Sequence, residues 1–164
     1  MPTEQQELDA LQAALEGEHA SVWAYGVLGP RLGRKSEEAL ALSMYGAHRV
    51  LRDSLAALVQ ARGSEPAAAA ASYTLPFEVD DRASARTLAL RIEERSADLY
   101  GDLVAAATTP ELRAKAATAL AGAELRRLQW GGTPHAFPGM PERRTAPPTT
   151  PPPTPTSPPP TPPR

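Results

Sequence analysis

The chain has 164 residues, 19 prolines and no cysteine, which excludes disulfides and thiolate metal sites and leaves imidazole and carboxylate as the strong ligands. A net charge of −2 and a pI near 5.9 supply no field for holding a nucleic-acid backbone or an anionic membrane, so neither is an expected partner. The opening MPTEQQELDA lacks the basic patch and apolar run of a signal peptide, and no segment reaches the ~20 apolar residues of a membrane span; the expected location is cytoplasmic.

Helical periodicity runs through residues 1–132 and no alternating strand pattern interrupts it, so the expected class is all-α. The first helix opens at Thr3, which has capping-box spacing to Gln6, and ends near Gly29-Pro30. The second is expected to start with Ser36 as N-cap, carries Glu37 and Glu38 in its first turn and stops at Arg62-Gly63. Residues 64–80 form the longest connection, expected to cross the length of the bundle. The third helix spans about Asp81 to Ala107. The fourth is announced by Thr109-Pro110-Glu111, cap, proline at the first helical position and acid in the first turn, and ends at Trp130-Gly131-Gly132. Residues 133–144 form an extension whose Phe137 and Met140 are expected to fold back as apolar plugs. Residues 145–164 hold 11 prolines and 6 threonines and read as a disordered, extended tail, a solvated extension or a docking peptide for a proline-reading partner.

The apolar stripes contain polar interruptions. In the first helix Leu8, Leu11, Leu15 and Val22 set a 3/4 spacing that takes in Glu18 and His19. In the second, His48 falls within the arc of Leu40, Met44, Leu51, Leu55 and Leu58. In the third, Glu93 projects between Tyr100 and Val104, beside Leu88, Ile92, Leu99 and Leu103, and Glu94 points toward the polar edge. In the fourth, Glu124 lines up with Ala116 and Leu120, and Arg113 and Arg127 share that face. Each buried ionisable group costs several kcal/mol unless it is paired or bound to a cation. Two assignments compensate Glu18, His19, His48, Glu93 and Glu124: a divalent ion held by carboxylates and imidazoles, or salt bridges such as Glu18 to His48, His19 to Glu93 and Glu124 to Arg127. Trp23, Tyr25, Tyr45 and Tyr100 near this level read as packing residues, and His135 as a surface residue.

The blocks LQAALEGEHASVWAYGVLG, AHRVLRDSLAALV, SYTLPFEVDDRASA, RIEERSADLYGDLV and WGGTPHAFPGMPE, within residues 8–142, resemble actinobacterial ferritin-like domains of unknown function. The resemblance implies a ferritin-like four-helix bundle with one long crossover and a relationship to proteins that hold a di-iron or related centre between their helices. The full ligand set of that superfamily is one Glu from each of two helices and a Glu-x-x-His pair from each of the other two. This chain departs from it twice: Tyr45 precedes His48 by three residues where Glu belongs, and Arg127 follows Glu124 by three where His belongs. Two functions are therefore expected. The first is a simplified site for iron, manganese or zinc built from Glu18, His19, His48 and Glu93, with Glu124 as a weaker member. The second is a metal-free bundle acting as a dimerising or partner-binding module with a buried salt-bridge network. A homodimer is expected on either, because alanine-rich bundles have thin cores and pair readily.

Overall fold

The computed structural model of the protein describes residues 1–141; the expectations for residues 142–144 and for the proline-threonine tail lie outside the described residues. Four helices follow in order, α1 (Glu4–Leu28), α2 (Lys35–Gln60), α3 (Arg82–Ala106) and α4 (Pro110–Gln129), with a single 3-10 turn at Gly29–Arg31 where Pro30 ends the first helix. No strand occurs among the described residues.

The helix starts show how local chemistry sets the boundaries. Thr3 and Gln6 close the expected reciprocal capping box, Asp81 and Ser84 close a second one for α3, and the Thr109 hydroxyl accepts from the Leu112 N–H with Pro110 following it. Ser36 does not cap α2. The helix starts at Lys35, two residues earlier than expected, so Ser36 lies inside the first turn; the N–H groups of Glu37 and Glu38 bond the Arg34 carbonyl, and Arg34 caps with no side-chain bond.

The residues 61–81 that connect α2 to α3 lie along α1. Gln12 donates to the Glu65 carbonyl and accepts from the Ala67 N–H, and Tyr73 packs on Trp23 at 5.8 Å between ring centres. This connection carries the chain back to the end where α2 starts, so that α3 begins beside the first turn of α2, where Arg82 and Arg86 both reach Glu37. At the other end, buried Glu7 accepts from Arg62 and from the N–H and hydroxyl of Thr108. The topology is therefore up, down, long crossover, down, up, and the crossover is the one expected.

The packed seams are α1 with α2, α1 with α3, and α3 with α4. At the α1/α3 seam a Cβ on Gly17 would meet Leu99 at 2.3 Å, so the glycine is what lets Leu99 lie down on α1. Two apolar clusters fill the interior, one around Leu28, Leu32, Met44, Leu88 and Trp130 and one around Leu11, Leu15, Leu55, Val59 and Leu103. Between them lies a layer of buried polar side chains.

The extension after α4 differs from expectation in the residues that carry its packing. Phe137 and Met140 are 47% and 45% exposed and do not plug the bundle. Gly139 makes the approach instead: a Cβ on Gly101 would meet the Gly139 carbonyl oxygen at 2.4 Å, and one on Gly139 would meet Leu120 at 2.7 Å. Backbone this close to α3 leaves little depth for the flanking large side chains, which stay about half exposed.

A buried ion network at the candidate functional site

Three of the five candidate residues meet in the polar layer. Glu18 and Tyr25 fall on the buried stripe of α1, two turns apart; His48 sits on that of α2, and Glu93 and Tyr100 on that of α3. His48 and Glu93 are 0% exposed and Glu18 is 2% exposed. His48 lies between the two carboxylates, its Nδ1 donating to Glu18 Oε2 at 2.6 Å and its Nε2 to Glu93 Oε1 at 3.1 Å. The Tyr100 hydroxyl donates to Glu18 Oε1 at 2.7 Å and the Tyr25 hydroxyl to Glu93 Oε1 at 2.6 Å. Trp130 Nε1 donates in turn to the Tyr25 oxygen at 3.0 Å. Arg126 closes the set from α4, its Nε donating to Glu93 Oε2 at 2.8 Å.

The electrostatics follow from that geometry. Burial pushes the His48 imidazolium toward losing its proton, but the hydrogen bonds and charges of Glu18 and Glu93 outweigh it and lift its pKa from 6.5 to about 9. Burial pushes the Glu93 carboxyl up, yet His48, Arg126 and Tyr25 together hold it below its ordinary value. Both tyrosines are pushed up, by burial first and then by their neighbouring carboxylates, so they stay protonated as donors. Near neutral pH the layer thus holds the two carboxylates of Glu18 and Glu93 against His48 imidazolium and Arg126 guanidinium. Its charges sum to zero.

The other two candidates lie elsewhere. His19 does not point into the core: it is half-buried on the flank of the α1 stripe and its Nε2 bonds the Ala67 carbonyl at 3.0 Å, so it ties down the crossover and makes no pair with Glu93. One step of about 100° round the helix separates it from Glu18. Glu124 pairs with Arg127 as the salt-bridge assignment expects, in a two-pronged contact at 2.8 and 2.9 Å. That pair sits at the rim, where Glu124 also accepts from the His135 N–H at 2.9 Å and Arg127 donates to the Thr133 carbonyl. It fastens the chain leaving α4, and His135 is half-buried against it. Tyr45 is also outside the layer, with Arg49 over its ring at 5.8 Å.

Arg126 and the donor roles of Tyr25, Tyr100 and Trp130 were not foreseen from sequence. A signal for Arg126 existed, since it lies three residues after buried Ala123 and four before buried Trp130, the spacing of an inward position.

Glu18, His48 and Glu93 converge as a metal centre would require, but their donor atoms do not aim at one point. The two carboxylates lie off opposite nitrogens of the same imidazole, so an ion on one nitrogen is turned away from the carboxylate at the other. The guanidinium of Arg126 already occupies Glu93 Oε2. As placed, these residues do not fit a metal ion, and among the described residues no group of three His, Cys, Asp or Glu side chains is arranged to hold one.

Fold and site together define an all-α four-helix domain with a neutral ion network in its interior, in which Glu18, His48 and Glu93 are buried and Arg126 is partly exposed. The family described as a domain of unknown function (DUF4439) matches residues 10–142, and the chain belongs to that family. It is similar to the crystal structure of a conserved hypothetical protein, rv2844, from Mycobacterium tuberculosis, at 32% identity and a TM-score of 0.76, over 79% of this chain and 97% of that one. No curated protein matches. No helix among the described residues is long and apolar enough to cross a membrane.

Proposed function

We propose that the chain is a metal-free helical binding module, related to ferritin-like domains and working as a dimer, in which the protein's own cations replace the charge of a core metal. One observation carries the reading: His48 and Arg126 lie on the two carboxylates of Glu18 and Glu93, and with its pKa raised to about 9 His48 joins Arg126 in bringing the charge a divalent ion would bring. Such a layer is self-sufficient, and entry of a metal would require both loss of the His48 proton and withdrawal of Arg126. The crossover topology supports the ferritin-like kinship. The dimer is supported by Leu42 of α2, which is 70% exposed and leaves a large apolar side chain on the surface.

Metal analysis of the full chain, purified without chelator or a nickel column, tests the core. The reading expects less than about a tenth of an equivalent of iron, manganese or zinc, and no rise in melting temperature when each is added, since an ion bound to the folded state alone raises stability by mass action. Near-stoichiometric metal with such a rise would establish the metal centre instead. Sedimentation of the wild type and of Leu42→Glu tests the pairing: a dimer that the substitution splits is expected, and a monomeric wild type contradicts it.

A further inference from the structure

The seam between α2 and α4 is not packed shut. On α4 the residues facing it are small, Ala116, Ala119 and Gly122, so Leu51 and Leu58 of α2, expected in the core, stay half-buried across from them. Between the two walls runs a groove of about 740 Å³ floored by Tyr100 and Leu103 of α3, a volume within the range of small-molecule pockets. It extends along α4 from Leu112 to Arg126, roughly 21 Å at the helical rise. No Asp or Glu lines it; its cations are Lys115 and Arg126.

Arg126 stands at the inner end. Its Nε is taken by Glu93 and its Nη1 lies over Gly122, where a Cβ would come within 3.2 Å. Its Nη2 is buried and has no acceptor among the protein's own atoms. A buried donor left unpaired costs about 1–3 kcal/mol, a cost that an oxygen acceptor arriving through the groove removes. The remaining walls are mainly apolar, with Ser54, Lys115 and Thr118 as their polar members, which suits an alkyl chain.

We propose that the α2/α4 groove binds a single-chain acyl ligand of the fatty-acid class, with its carboxyl or ester oxygen on Arg126 Nη2 and its alkyl chain between α2 and α4. Because the ion layer is already neutral, an uncharged oxygen head enters at lower cost than a carboxylate, and a cationic head is refused by the guanidinium. The inference rests on the metal-free reading in one respect, that Arg126 stays on Glu93.

The test is an NMR titration of the full chain with three probes of equal chain length: dodecanoic acid, methyl dodecanoate and dodecyltrimethylammonium. The two oxygen-headed probes are expected to saturate a site whose shifts centre on Leu51, Leu58, Ala119 and Gly122, at least about tenfold tighter than the cationic one; the acid and ester arms separate free fatty acids from esterified sources. Ala119→Leu fills the groove without touching the ion layer and should weaken both about tenfold or more, and Arg126→Lys should erase the preference among heads. Equal affinity for all heads, indifference to Ala119→Leu, or no saturation overturns the proposal. So does a change of oligomeric state in Ala119→Leu, which would make the groove a contact between copies. Metal uptake by the same sample would sink the metal-free reading whatever the acyl result, and a metal-free core that ignores acyl chains would sink this proposal alone.

Discussion

Glu93 and Glu37 are both carboxylates gripped by two cationic side chains, and they hold this bundle together in different ways. Glu93 is 0% exposed and meets His48 and Arg126 inside a layer whose second carboxylate, Glu18, brings the total charge to zero. Glu37 is 12% exposed at the end of the bundle, where Arg82 and Arg86 leave it with one positive charge in excess. Water at the edge screens the excess; inside, nothing does. Neutrality is thus a requirement of the interior pair and not of the edge pair, and the two should respond unequally to loss of a charge.

The largest effect is expected from Glu93→Gln, which leaves the core with one positive charge in excess, Arg126 having lost its carboxylate while His48 keeps Glu18. Chemical denaturation should show a loss of about 3–5 kcal/mol, and Glu93→Gln combined with Arg126→Gln should recover part of it, because the second change removes a charge the first left unpaired. A simple sum of the two single losses would mean that charge balance does not govern the layer.

Next in size is pH. The pKa of His48 is raised from 6.5 to about 9 in the folded state, so its contribution is fully present below 6.5 and is lost as pH rises through 9. Unfolding free energy should fall by about 3 kcal/mol between pH 6 and pH 9.5, and His48→Gln should flatten that slope while lowering stability throughout. Glu93, held below its ordinary value, acts with the opposite sign: its contribution is present above 4.5 and lost as pH falls below that.

Glu37→Gln should cost only about 1 kcal/mol, the upper range for an ion pair in contact with water. The carboxyl of Glu37 is lowered to about 2, chiefly by the Arg82 hydrogen bond, so its contribution is fully present above 4.5 and is lost progressively as pH falls from there through 2. The smallest effect belongs to Glu124→Gln. It should change global stability by no more than about 1 kcal/mol, Glu124 being as exposed as Glu37, and move NMR signals of Thr133 and His135 while those of His48 stay in place. A response at His48 would mean that rim and core are coupled.

Much of the fold was legible because the deciding signals are local. Thr3-Gln6 and Thr109-Pro110 fix their helix ends through bonds to neighbouring backbone, and Glu18, His48 and Glu93 are found because each interrupts an apolar stripe at its centre. His19 misled because one residue step from a stripe's centre reaches its flank, where a passing loop supplies the partner, Ala67. Glu124 pairs with Arg127 as one of the two readings expects, and lies away from the layer because it falls at the edge of its stripe. Arg126 was missed because a long side chain reaches the interior from a partly exposed position, and α4, rich in alanine, marks its inner face weakly. The open α2/α4 seam was not legible at all, since Leu51 and Leu58 carry the same pattern whether or not a partner helix covers them.

The most direct measurement is the protonation state of His48 in the intact chain, read from its imidazole nitrogen shifts across a pH series. With its own cations balancing the layer, both ring nitrogens carry protons at pH 7.5, the ring titrates near 9 and added zinc or manganese leaves the signals unmoved. A ring already neutral at pH 7.5, or one whose signals shift on adding metal, would contradict a core that is complete without an ion.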